Sequence, residues 1–106
     1  MRESTYQAGL IKRLKVMLPG CVILKNDPGY IQGFPDLTIL YQKRWAVLEV
    51  KPYPSAPQQP NQQYYIDELG EMSFAAVIYP ENEEDVLDAL QQALRPRRAT
   101  RVSQRK

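Results

Sequence analysis

Two periods of hydrophobic spacing run through this chain, one near 3.6 residues and one of two, and they divide it into helices and strands. Over residues 3 to 18, Gln7, Leu10, Ile11, Leu14, Met17 and Leu18 fall at helical spacing and Pro19-Gly20 ends the run, which predicts an amphipathic first helix. "CVILK" then reads as a short apolar strand. The breaker-rich "NDPGYIQGFP" after it reads as an exposed loop. "DLTILY" and "WAVLEV" carry β-branched and aromatic residues, and the polar "QKR" between them predicts a tight hairpin. "PYPSAPQQP" is too rich in proline for helix or central strand and reads as an extended surface connection. "NQQYYIDELG" predicts a helix of two to three turns, capped by Asn61 and closed at Gly70. "SFAAVIYP", almost wholly apolar, predicts a strand buried on both faces. In "ENEEDVLDALQQAL" the acids suit a helix N-terminus, and Val86, Leu87, Leu90 and Leu94 form one apolar face.

The resulting order, α-β-β-β-α-β-α, predicts an α/β fold. We expect a four-stranded mixed sheet covered by helices, its fourth strand joined through a right-handed crossover. At 106 residues, 43% apolar and 25% charged, the chain fits one domain, placed at residues 1 to 94. The net charge of +2 is unevenly spread. The stretch "RPRRATRVSQRK" at 95 to 106 is basic and free of acids, whereas residues 1 to 94 are acidic on balance. Such a tail suits a polyanion-binding arm, and equally a disordered solubilising end.

Composition also narrows the chemistry. The chain has no histidine, which removes Ser-His and Cys-His catalysis and the usual zinc ligand sets. The single Cys21 excludes an internal disulfide framework and reads first as a small buried hydrophobe. No apolar run is long enough to span a membrane or to serve as a signal-peptide core, and no small-molecule cofactor motif is present. Carboxylates, Lys, Tyr and a hard metal are what is left.

Three of these groups sit in the most strand-like part of the chain: Asp36, Glu49 and Lys51. Residues two apart on a strand point the same way, so Glu49 and Lys51 share a face. A hairpin turn at "QKR" brings Asp36, at the start of one strand, beside the end of the next. Two carboxylates in a partly dry place repel each other unless a proton or a cation neutralises them. Mg²⁺ suits such a pair, since it takes one or two carboxylates and completes its shell with water and phosphate oxygens. A structural ion pair at a strand end is the competing explanation for these charges.

"GFPD" followed thirteen residues later by "EVK" resembles the PD-(D/E)xK nuclease superfamily, and in its details the compact VRR-NUC-type nucleases of phages and bacteria. The resemblance spans roughly residues 3 to 79. It implies a restriction-endonuclease-like core and a metal-dependent endodeoxyribonuclease acting on junction, flap or otherwise branched DNA. By the same resemblance Asp36 and Glu49 hold Mg²⁺, with Mn²⁺ as a substitute and the Val50 carbonyl as a third ligand, while Lys51 handles the attacking water. Glu3, in the first helix, and Gln62, in the second, match further site positions. Glu3 is equally readable as a favourable acid in a first helical turn, and Gln62 as an exposed helix residue, with its neighbour Gln63 competing for the same role. The resemblance also implies a homodimer in the cytoplasm of a bacterial or phage-infected cell.

DNA would be steered by Lys12, Arg13 and Lys15 on the first helix, by Lys25, and by Arg97 and Arg98 in the tail. Tyr30 and Phe34, in the loop before Asp36, suit stacking on a base as well as packing. The alternative to an enzyme is a DNA-binding or assembly module on the same fold.

Overall fold

The computed structural model describes residues 2–95, in the order α1 (Glu3–Met17), β1 (Val22–Lys25), β2 (Leu37–Tyr41), β3 (Arg44–Val50), α2 (Gln62–Met72), β4 (Phe74–Ile78) and α3 (Glu83–Leu94). A single 3₁₀ turn, Pro80–Asn82, leads into α3. The basic tail lies outside the described residues. The strands form one mixed sheet in the order β1-β2-β3-β4, with β1, β2 and β3 antiparallel and β4 parallel to β3. Among the described residues no helix is long and apolar enough to cross a membrane.

The pleat sorts side chains onto two faces. Leu37, Ile39 and Tyr41 of β2, Ala46, Leu48 and Val50 of β3 and Ile78 of β4 lie on one face. They form the core with Tyr6, Leu10, Leu14 and Leu18 from the α1 segment and Leu87, Leu90 and Leu94 of α3. On the opposite face α2 covers the β3–β4 half. Gln62 reaches Glu49 there, and Ser73, just past the helix, donates to the Trp45 carbonyl.

Several elements depart from their sequence readings. The core stripe of α1 runs through Tyr6 rather than Gln7, because the Tyr6 hydroxyl donates to Glu83 at 2.7 Å and its ring is thereby free to be buried. The hairpin turn is Gln42-Lys43 alone, since Arg44 already pairs with Tyr41, and Gln42 takes a left-handed φ of 56°. Asn61 is also left-handed, at φ 72°, and its side chain caps nothing. Gln62, the first helical residue, turns its Oε1 back onto the preceding segment, where it accepts from Gln59 N at 2.8 Å. α2 runs past Gly70 to Met72. β4 was expected to be buried on both faces, but it forms one edge of the sheet, and only Ile78 is fully buried.

Candidate active site

The β2–β3 hairpin aligns the charged residues. Leu37 pairs with Leu48, so Asp36, one residue outside the strand, stands level with Glu49 on the α2 side of the sheet. Asp36 Oδ2 accepts a hydrogen bond from the Val50 amide at 2.8 Å, which continues the ladder through a side chain. Asn26 N donates to the Asp36 carbonyl at 2.8 Å and fixes the other flank. The Val50 backbone thus lies against the Asp36 carboxylate, while the Val50 side chain packs in the core.

Glu49 is only 2% exposed, an unusual place for a carboxylate. Its Oε2 accepts from Gln62 Nε2 at 2.5 Å and lies 3.5 Å from Lys51 Nζ. Its Oε1 is buried with no hydrogen-bond partner. Lys51 Nζ donates to Gln62 Oε1 at 2.9 Å and to the Pro57 carbonyl at 3.0 Å. One amide therefore bridges the acid and the base, and its orientation is set by these partners. Gln62 is buried, so of its two sequence readings the exposed helix residue is the one the structure replaces.

These groups line a cleft of about 430 Å³ whose rim includes Glu3, Pro28 and Tyr53. Electrostatics follows from the crowding. Burial, then the neighbouring Asp36 charge, pushes the Glu49 carboxyl up to about 7 against the pull of Lys51. Burial also raises Asp36, opposed by the Val50 amide and Lys51. Glu3 is raised by partial burial and then by Asp36, which places it within electrostatic reach of the pair although it remains exposed.

Among the described residues no group of three or more His, Cys, Asp or Glu is close enough to hold a metal ion. The donor set here is two carboxylates, and that suits Mg²⁺, which needs no more than one or two from the protein. The orphaned Glu49 Oε1 is an observation of the same kind: a buried acceptor with nothing to accept from, in a cleft open to solvent.

The basic residues are more scattered. Lys12 and Lys15 are exposed on α1 and do not line the cleft. Arg13 is committed elsewhere: it pairs with Glu83, and with Glu84 at 2.9 Å, so it ties α1 to α3 rather than offering a free cation to a phosphate. Lys25 is exposed and pairs in register with Leu37, one residue from Asp36, at the cleft end of the sheet. Tyr30 is 84% exposed beside the same end. Arg97 and Arg98 lie outside the described residues.

Sequence reasoning missed the Pro57 carbonyl and the Gln59 amide, because backbone groups leave no signal in residue identity. Gly33 was legible as a loop breaker and as the first residue of "GFPD", but not for its role in the fold: its φ of 87° and lack of a side chain let the loop before Asp36 touch the segment before α2. A Cβ there would lie 2.5 Å from the Pro60 carbonyl oxygen. Compared with protein-family models, curated proteins and solved structures, the chain matches none.

Proposed function

We propose that this chain is a Mg²⁺-dependent endodeoxyribonuclease of the PD-(D/E)xK type, acting on branched or otherwise structured DNA. The observation that carries this reading is the convergence of Asp36, Glu49, Lys51 and Gln62 in an open cleft, with one buried Glu49 oxygen unpartnered. A purely structural Glu-Lys pair gives no reason for that oxygen, nor for a second carboxylate raising the first.

Asp36 and Glu49 would hold the metal, with the Val50 backbone beside them. When bound, Mg²⁺ would supply Lewis-acid polarisation of a phosphodiester and lower the pKa of a water that it ligates. The chain's own residues supply position. Val50 N–H orients the Asp36 carboxylate and Gln62 orients that of Glu49. Lys51, held by Gln62 and the Pro57 carbonyl, presents a positive charge where a phosphate oxygen gains negative charge during in-line attack. Lys25 and the exposed Tyr30 stand where a nucleic-acid strand entering the cleft would pass. We extend the proposal to a homodimer, which would enlarge a small DNA footprint and offer two sites to two strands.

The test uses the purified protein and its Glu49→Ala variant on labelled four-way junction, flap, single-stranded and plain duplex DNA, with Mg²⁺, Mn²⁺ or EDTA. We expect metal-dependent cutting that falls about a hundredfold or more in the variant. Cutting that survives both Glu49→Ala and Lys51→Ala would sink the proposal. Binding without cutting by either protein would favour the DNA-binding module.

A further inference from the structure

Next to the carboxylate cleft lies a second cavity of about 480 Å³, lined by Asn26, Asp27, Tyr30, Ile31, Phe34 and Thr38. A smaller groove of about 240 Å³, whose walls include Gly33, Phe34, Asp36, Gln59 and Gln62, borders both. Phe34 is thus a wall of both the side cavity and the groove, and Asp36 and Gln62 are walls of both the groove and the cleft. A polymer with one group at the carboxylates has the side cavity, bordered by the Phe34 wall that it shares with the groove, nearby for its neighbour.

The lining tells what that neighbour is. No Lys or Arg borders the side cavity and Asp27 does, so a phosphate is disfavoured there. Phe34 is held in place by Tyr65, their ring centroids 5.5 Å apart, and offers a fixed apolar wall with Ile31. Tyr30, 84% exposed as a residue, stands at the cavity, an arrangement that core packing does not explain. Asn26 spends both amide hydrogens, on the Pro35 carbonyl at 2.8 Å and on Thr38 Oγ1 at 2.9 Å, and keeps its Oδ1 as an acceptor. A flat aromatic group with a hydrogen-bond donor on its edge matches this surface.

We infer that the side cavity receives an unstacked nucleobase from the strand whose phosphate sits at Asp36 and Glu49. The inference rests on the nuclease reading for the identity of the polymer and adds to it the class of substrate: DNA with an unpaired nucleotide beside the bond to be cut. A fully paired duplex would have to give up a stacked base to fill the cavity, and a flap or junction offers one already free.

The experiment uses single-stranded and flap DNA carrying 2-aminopurine at one unpaired position, titrated with protein in Ca²⁺, and cutting assays in Mg²⁺ run in parallel. The variants are Tyr30→Ala and Tyr30→Phe, with thermal melting to show that each keeps its fold. We expect wild type and Tyr30→Phe to perturb the fluorescence and bind alike. Tyr30→Ala should bind about fivefold weaker or worse, the size of one lost base–aromatic stack. If Tyr30→Ala binds and perturbs the probe as wild type does, or if wild type leaves the probe unchanged, the base cavity is overturned. Cutting abolished by Glu49→Ala but untouched by Tyr30→Ala on every substrate would overturn the cavity and leave the nuclease standing. A Tyr30-dependent fluorescence change without any cutting in Mg²⁺ would support the cavity and overturn the nuclease.

Discussion

Glu49 joins a buried side chain, an oxygen without a partner and a carboxyl held near 7. The ordinary value of this group is 4.5, so between there and about 7 the folded protein binds more protons than the unfolded chain. Stability must therefore fall as pH rises through that window. A divalent cation competes with the same proton, and its stabilising effect must grow as the proton leaves. In EDTA we expect the melting temperature to decline from about pH 5 to about pH 8. Millimolar Mg²⁺ should raise it more at pH 8 than at pH 5. Glu49→Gln should flatten the pH slope over that window and remove the Mg²⁺ increment, and a variant that keeps both would place the titration elsewhere. Asp36, Glu49 and Lys51 were legible in the sequence because charges interrupt strand-like runs. Gln62 was only half legible: its type and position suited a site, but its burial depends on how α2 lands on the sheet. The Pro57 carbonyl that helps hold Lys51 was not legible at all.

Among the elements, the hairpin was easier to read than its turn. A three-residue "QKR" loop would have paired Tyr41 with Trp45 and set Asp36 level with Val50. The left-handed Gln42 tightens the turn, shifts the register by one residue and sets Asp36 level with Glu49. Nothing in the identity of Gln42 announces a positive φ, which Asn or Gly would have done. At α2 the start was legible, since Asn61 holds the N-cap position, but its side chain caps nothing and the helix ends at Met72 rather than Gly70, for a related reason. Each residue is a good local signal, but Gln62 and Ser73 make the tertiary contacts that define the ends of α2. The loop before Asp36 and the segment before α2 meet at Gly33, where the chain has room for a hydrogen and nothing larger. Gly33→Ala should cost about 1–3 kcal/mol for the left-handed backbone and the collision with Pro60 and Asn61. Because both segments line the cleft, cutting should fall beyond what the loss of folded protein explains. Denaturant melts alongside cutting rates at a temperature where both proteins are folded would separate the two effects. Wild-type stability and rate in Gly33→Ala would mean that the contact is dispensable.

At the scale of the whole molecule, α2 covers only half of its side of the sheet. Val22, Leu24 and Leu40, on the uncovered half, are 51%, 46% and 40% exposed. β1 is also an edge, with no strand beyond it among the described residues. An exposed apolar patch beside an open strand edge invites self-association, and two-fold pairing through β1 would satisfy both features at once. Sedimentation at micromolar concentration should give a dimer, and Leu24→Lys should give a monomer with wild-type secondary structure. A wild type that stays monomeric to about 100 μM would exclude this surface as the interface of a stable dimer. The Gln42-Lys43 turn has a practical consequence of its own. It caps the hairpin at the end remote from Asp36 and Glu49, and Lys43 is exposed there. The chain's only thiol, Cys21, is half-buried and its pKa is raised by burial, so it reacts slowly with maleimides near neutral pH. Lys43→Cys would therefore accept a dye or a surface tether selectively and hold the molecule with its cleft turned away from the support. Single-turnover kinetics on immobilised protein should then match those in solution.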